Sequence, residues 1–293
     1  MPSRRTMLFV PGNNPGMLQS APVLGADSVI FDLEDAVAMS EKDAARDLVC
    51  SALRTVEFEG TEIVVRINAL DSPYWKQDVA DVIAAGVDCI LVPKCSTAHD
   101  VHDVAAVITQ EEERNALAAG SIVIMPLLEG ALGVENAFSI AGADNRVSSL
   151  FFGAEDFCAD MGAQRTATGE EIQFARGRIV LAAKAAHIGA IDTPFTNVDD
   201  YAGVQRDSEL GRQMGFDGKA VISPQHVRIV NRVFTPTEKE IAWAERVKAA
   251  MEKGAAEGKG AVSLDGNMID GPIVKRALDT LRKAGLLEEH HAE

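Results

Sequence analysis

Two apolar runs, Ile122 to Leu128 and Leu150 to Phe152, lead into carboxylates, Glu129 and Asp156. A strand buried on both faces of a parallel sheet reads as a continuous hydrophobic run. An acid just beyond such a run therefore belongs at the sheet's carboxyl edge, where α/β proteins place their chemistry. Two acids at one edge repel unless a cation lies between them, and hard oxygen donors suit Mg²⁺ better than a softer metal. Each acid could instead cap the helix after it, Gly130 opening the helical run Ala131 to Ile140. Further polar residues follow other apolar runs: Asp32, Glu34 and Asp35, then Arg66 and Asn68, then Lys94. Arg66 stands inside Val64-Val65-Arg66-Ile67-Asn68, where a guanidinium is costly to bury without an anionic partner. Its fork fits a carboxylate at two points, either a ligand's or an internal one from Glu34, Asp35 or Glu129.

The elements that must position these residues alternate along the chain. Short apolar runs fall at Met7 to Val10, Ser28 to Phe31, Ile63 to Ile67, Cys89 to Val92, Ile122 to Leu128, Leu150 to Phe152, Ala190 to Ile191 and Ala220 to Ile222. Between them, helical spacing with stop signals predicts helices over Met17 to Leu24, Glu41 to Leu53, Trp75 to Ala85, Ala98 to Glu113, Ala131 to Ile140, Glu170 to Ile188, Tyr201 to Met214 and Gln225 to Val233. Ser40 with Asp43 and Thr168 with Glu171 have the spacing of capping boxes. Eight strands each followed by a helix predict an α/β fold, a closed (β/α)₈ TIM-like barrel over residues 1–234, with an open doubly wound sheet as the alternative. No strand is followed by a glycine-rich dinucleotide fingerprint or a P-loop. Residues 235–293 read as a carboxyl-terminal helical extension with a lid loop, Ala261 to Pro272, too small to fold alone. His290 and His291 in the tail read as a solvated helix end.

Composition narrows the function. Hydrophobic residues make up 47% of the 293 and charged residues 25%, the balance of a globular enzyme. With 44 acidic against 28 basic side chains the net charge is −16, which argues against nucleic acid as a partner. No apolar run approaches the length of a membrane helix, so no membrane partner is expected. Met1 to Thr6 leads into a short first strand rather than a signal peptide. Cys50, Cys89, Cys95 and Cys158 show no C-x-x-C pairing and read as reduced core thiols, so a cytoplasmic location is expected.

The chain resembles the citrate lyase beta subunit and its stand-alone relatives, the citryl-CoA, malyl-CoA and citramalyl-CoA lyases. The matching motifs are Arg5-Thr-Met-Leu-Phe-Val-Pro-Gly12, Phe31-Asp-Leu-Glu-Asp-Ala-Val37, Val65-Arg-Ile-Asn68, Leu91-Val-Pro-Lys94, Gly153-Ala-Glu-Asp156, Gly215-Phe-Asp-Gly-Lys219 and Met268-Ile-Asp-Gly-Pro272. The resemblance implies a Mg²⁺-dependent carbon–carbon lyase acting on a 3-hydroxyacyl thioester, with Glu129 and Asp156 on the metal and Arg66 on a substrate carboxylate. It also implies that Asp270, in the lid, serves as the acid/base, often at a neighbouring subunit's barrel, in a homo-oligomer such as a trimer. On residues alone Asp270 is equally a turn residue of Asp-Gly-Pro. Asp32, Glu34 and Asp35 would orient Arg66 or bind waters on the metal. The substrate would be carried on CoA or an acyl carrier protein and release a 2-oxo acid. Arg4, Arg5 and Arg165 are candidates for CoA phosphates. Three rival readings remain: a Schiff-base aldolase using Lys94, a phosphoenolpyruvate-type barrel enzyme, and a non-catalytic scaffold subunit of a lyase complex.

Overall fold

The computed structural model describes residues 3–256, 258 and 260–287. The chain divides into two compact units, Met1–Phe234 and Thr235–Glu293. In the first, eight short strands are hydrogen-bonded in sequence order: β1 (Thr6–Pro11), β2 (Ser28–Asp32), β3 (Glu62–Arg66), β4 (Cys89–Val92), β5 (Val123–Leu128), β6 (Ser149–Phe152), β7 (Gly189–Asp192) and β8 (Gly218–Val221). β8 pairs in parallel with β1, so the sheet is a closed barrel with no free edge and the open-sheet alternative is excluded. Around it lie α1 (Pro15–Ser20), α2 (Lys42–Thr55), α3 (Trp75–Ala85), α4 (Ala98–Arg114), α5 (Ala131–Glu135), α6 (Ala137–Ala141), α7 (Ala154–Asp160), α8 (Gln173–Ala185), α9 (Tyr201–Met214) and α10 (Pro224–Phe234).

The period-two alternation of each strand divides the core into two layers. Ile30 on β2 joins Met7, Val64, Leu91, Met125, Leu127 and Phe151 in the barrel interior. Its neighbours Val29 and Phe31 face outward to pack under the helices. Each such side chain, fully buried, contributes about 1.5–3 kcal/mol. The amino end of the barrel is closed by polar groups. Arg4 donates to Glu62 Oε1 at 2.6 Å and to the hydroxyls of Ser148 and Ser149, each at 2.9 Å. Arg5 pairs with Asp27 at 2.7 Å. Both arginines precede β1 and are committed to the amino end, so they are not at the carboxyl mouth where a CoA phosphate contact would be needed.

Several local expectations are corrected. The run Ala131 to Ile140 forms two short helices, α5 and α6, divided at Asn136. The predicted helix from Glu170 opens with a 3-10 turn and is α-helical only from Gln173 to Ala185. Helix α7 begins at Ala154, so Asp156 lies within it and does not cap a helix after it. Neither expected capping box forms: α2 begins at Lys42 without a side-chain cap, and Glu171 accepts from Thr166 rather than Thr168. A reciprocal box lies instead at Thr97 and Asp100, opening α4.

The second unit packs α11 (Glu238–Ala256) against α12 (Gly271–Lys283) around Ala244, Val247, Ile269, Ala277 and Leu281. Where a loop was expected, β9 (Val262–Leu264) and β10 (Asn267–Ile269) form an antiparallel hairpin. Its turn, Asp265-Gly266, has positive φ at both residues, 52° and 80°, the requirement of a two-residue hairpin turn of the primed type. His290 and His291 lie outside the described residues. Among the described residues no helix is long and apolar enough to cross a membrane.

Candidate active site

Register decides the partner of Arg66. Asp32, the last residue of β2, lies opposite Arg66, the last of β3. Two side chains opposed on neighbouring strands and pointing to one face must meet. Asp32 accepts from Arg66 Nε at 2.7 Å and from Nη2 at 2.6 Å. The same carboxylate also accepts the backbone N–H groups of Glu34 and Ala36, at 2.9 and 3.1 Å. With four donors on it, Asp32 is saturated, and its role is to fix Arg66. The fork is thus held at two points by an internal carboxylate, Asp32, while the expected internal pairing with Glu34 and Asp35 forms at the third nitrogen. Arg66 Nη1 remains, 3.1 Å from Glu34 Oε2 and 3.6 Å from Asp35, while the Phe9 ring lies 5.1 Å from the guanidinium carbon. Burial works against the charge of Arg66, but Asp32, Glu34 and Glu129 outweigh it and hold the guanidinium protonated.

Lys94 occupies the left-handed backbone region, φ 51°, a conformation costing a non-glycine residue about 1 kcal/mol. The turn aims its backbone N–H at Glu129 Oε1, 2.7 Å away. Its ammonium reaches Glu34 at 2.5 Å and Asp35 at 3.6 Å. Burial opposes its charge, yet Glu34 and Asp35 raise its pKa above the ordinary lysine value. A Schiff-base amine needs the reverse shift.

Glu129 follows β5 and is buried, 4% exposed. It does not cap its own helix, because the Ala131 N–H at the start of α5 donates to Asp160 at 2.7 Å. Burial pushes the carboxyl up to about 8; the Lys94 N–H and Arg66 oppose the rise, and Glu34 and Asp156 add to it. Gly153 makes room for this side chain, since a Cβ at that position would fall 2.7 Å from Glu129 Cβ and 2.8 Å from Oε2. Asp156 sits two residues into α7, exposed at the mouth.

Asp32, Asp35, Arg66, Glu129 and Asp156 line one cavity of about 450 Å³, with Phe9, Leu127, Phe151 and Ile222 as apolar wall. Glu34 and Lys94 adjoin it through their bonds to Arg66 and Glu129. Asn68 turns away: its side chain and backbone N–H both donate to Asp78, at 2.7 and 3.0 Å. Two further polar residues that follow or end strands, Asp192 at the end of β7 and His226 just after β8, are engaged elsewhere, the first in ion pairs with Arg176 and Lys219, the second at the backbone oxygen of Val198. Arg165 pairs with Glu155 at 2.8 Å and with Glu171. Sequence reasoning missed Glu155 as a lining residue, although it is the neighbour of Asp156, and missed the apolar wall, whose members look like any core residue. Among the described residues no three His, Cys, Asp or Glu side chains form a metal cluster by themselves. The donor set nevertheless fits Mg²⁺, which is held through one or two carboxylates with substrate and water completing its shell. A buried carboxylate whose proton is retained to about pH 8 is one that a cation relieves.

A closed parallel barrel whose carboxyl mouth holds a cavity with one fixed guanidinium among carboxylates has the build of a barrel enzyme. The chain belongs to the HpcH/HpaI aldolase/citrate lyase family, whose model matches residues 5–224. The citrate lyase subunit beta of Leuconostoc mesenteroides subsp. cremoris is 46% identical over 281 residues, 96% of this chain and 93% of that one. The crystal structure of protein CitE from Mycobacterium tuberculosis in complex with magnesium, acetoacetate and coenzyme A is similar with a TM-score of 0.79 and 30% identity, covering 97% of this chain and 98% of that one. The citrate lyase beta subunit from the same organism complexed with oxaloacetate and magnesium has a TM-score of 0.68 and 28% identity, over 80% of this chain and 98% of that one.

Proposed function

We propose that the protein is a Mg²⁺-dependent carbon–carbon lyase of the citrate lyase beta subunit type, cleaving a citryl thioester to oxaloacetate and an acetyl thioester. The observation that carries this reading is the buried Glu129 carboxylate, sharing a cavity with Asp156 and the immobilised Arg66. Glu129 and Asp156 would hold the metal. When bound, Mg²⁺ supplies Lewis-acid polarisation of the substrate oxygen that becomes the ketone.

The chain's own residues do the rest. Arg66 is fixed by Asp32 on two nitrogens, leaving the Nη1 side to take a substrate carboxylate and hold the scissile bond in one orientation. Glu34, bonded to Lys94 and 3.1 Å from Nη1, confines the guanidinium on that same side. Phe9, Phe151 and Ile222 form an apolar wall that keeps water from the enolate of the departing acetyl thioester. Protonation of that enolate carbon falls to Asp270 of the Thr235–Glu293 unit, which caps α12 by accepting from the Ile273 N–H at 3.4 Å. In this reading Asp270 serves a neighbouring barrel in a homo-oligomer. CoA or an acyl carrier protein bears the acyl group.

The test is release of oxaloacetate from citryl-CoA and citryl carrier protein, followed by reduction of the oxaloacetate with NADH and a coupling dehydrogenase. Turnover that requires Mg²⁺ and stops in EDTA is the expected result. Turnover undiminished by EDTA, or cleavage only of malyl-CoA or citramalyl-CoA, would overturn the assignment.

A further inference from the structure

A buried charge cluster at the end of β7 has no part in the roles given above. Asp192 accepts from Arg176 Nε and Nη2, both at 2.9 Å, and from Lys219 Nζ at 2.8 Å. Asp207 on α9 closes the cluster, accepting from Arg176 and Lys219 at 2.8 and 2.6 Å. Gly211 lets α9 lie this close, since a Cβ there would fall 2.9 Å from Asp192 Oδ2. The third Lys219 donor goes to the backbone oxygen of Thr193 at 2.6 Å. An ammonium with three acceptors has every donor used, and the backbone at Thr193 is held accordingly.

The Thr193 side chain then crosses to another strand end. Its hydroxyl oxygen accepts the Ala154 N–H at 3.0 Å. Ala154 is the first residue of α7, two before Asp156, and the first N–H groups of a helix have no partner within it. The residue at the N-cap of α7 is Gly153, which has no side chain to supply one and could not be larger because of Glu129. Thr193 therefore provides, from just past β7, the cap that the sequence of α7 lacks. Thr193, Ala154 and Asp156 line the same cavity.

We infer that Thr193, fixed by Lys219 and Asp192, is a positioning residue that sets the start of α7 and so directs Asp156 into the cavity. The inference rests on the reading of Asp156 as a metal ligand. Thr193→Val keeps the side-chain shape and removes the acceptor; Thr193→Ala removes it without bulk; Thr193→Ser keeps it. The measurement is Mn²⁺ binding to the full chain, read from the free-Mn²⁺ electron paramagnetic resonance signal, with Asp156→Asn alongside. Val and Ala weaken Mn²⁺ binding about tenfold or more, the usual cost of losing an outer partner of a metal site. Ser restores it to within about twofold, and Asp156→Asn loses it. Val and Ala variants that bind Mn²⁺ like the wild type, while Asp156→Asn does not, overturn the positioning role. Wild-type binding by Asp156→Asn overturns the metal-ligand reading itself.

Discussion

Replacing Asp32 by Asn tests whether the site is built on the Asp32–Arg66 pair. The carboxylate accepts four donors, two from the guanidinium and two from backbone N–H groups, in a place only 2% exposed. An amide keeps one acceptor and turns a second donor on this crowd, leaving the buried guanidinium short of its counter-charge. Breaking a buried pair from one side costs about 3–5 kcal/mol. For a unit of this size the unfolding entropy is about 0.5 kcal/mol/K, so the melting temperature should fall by roughly 6–10 °C. Freed from Asp32, Arg66 is misaimed, and kcat/KM for citryl-CoA cleavage should fall at least about 100-fold. Glu112→Gln is the control. Glu112 is equally buried and paired with Arg146 at 2.6 Å, but it packs at the amino end of β5 beside Ile122. That variant should lose comparable stability and keep its kcat/KM. A melting temperature within about 1 °C of wild type for Asp32→Asn, or an unchanged kcat/KM, would refute the reasoning.

Other outcomes follow from the same geometry. Because the Glu129 carboxyl is pushed up to about 8, the folded state binds its proton more tightly than the unfolded chain. Its contribution is full below about pH 4.5 and is lost as pH rises through 8. In EDTA, the melting temperature of wild type relative to Glu129→Gln should therefore fall between pH 5 and pH 9; a flat difference would contradict the burial argument. Gly153→Ala forces a methyl to within 2.8 Å of Glu129 Oε2 and should weaken Mg²⁺ binding while costing about 1–3 kcal/mol in denaturant unfolding. All four cysteines are buried, and burial pushes the Cys50 thiol up to about 11. A thiol reagent at pH 8 should label the native protein far more slowly than the denatured chain, and rapid native labelling would disprove the packing.

The barrel was legible because a strand buried on both faces leaves an unbroken apolar run, and eight such runs separated by helical spacing have one common solution. Even β7, signalled only by Ala190 and Ile191, found its place because closure required it. Glu129 and Asp156 stood out because each follows such a run within a few residues. The partner of Arg66 did not, since Glu34 and Asp35 are as near in sequence as Asp32, and only the strand register opposes Asp32 to Arg66. Asn68 looked equally placed at the mouth, yet Asp78, ten residues on, takes both its donors. The Thr193 contact was hidden for a similar reason, spanning 39 residues between adjacent strand ends. Asp265-Gly266 between short apolar stretches is a strong hairpin signal, masked in this sequence by the surrounding glycines. Helix α7 left little trace, being only seven residues long and rich in acids.

Calorimetric titration of Mg²⁺ into the wild-type chain and into Glu129→Gln, each saturated with oxaloacetate, probes the central claim most directly. The account predicts one Mg²⁺ per chain for the wild type and no measurable binding to the variant, with citryl thioester cleavage vanishing in parallel. Equal Mg²⁺ uptake by both proteins would contradict it.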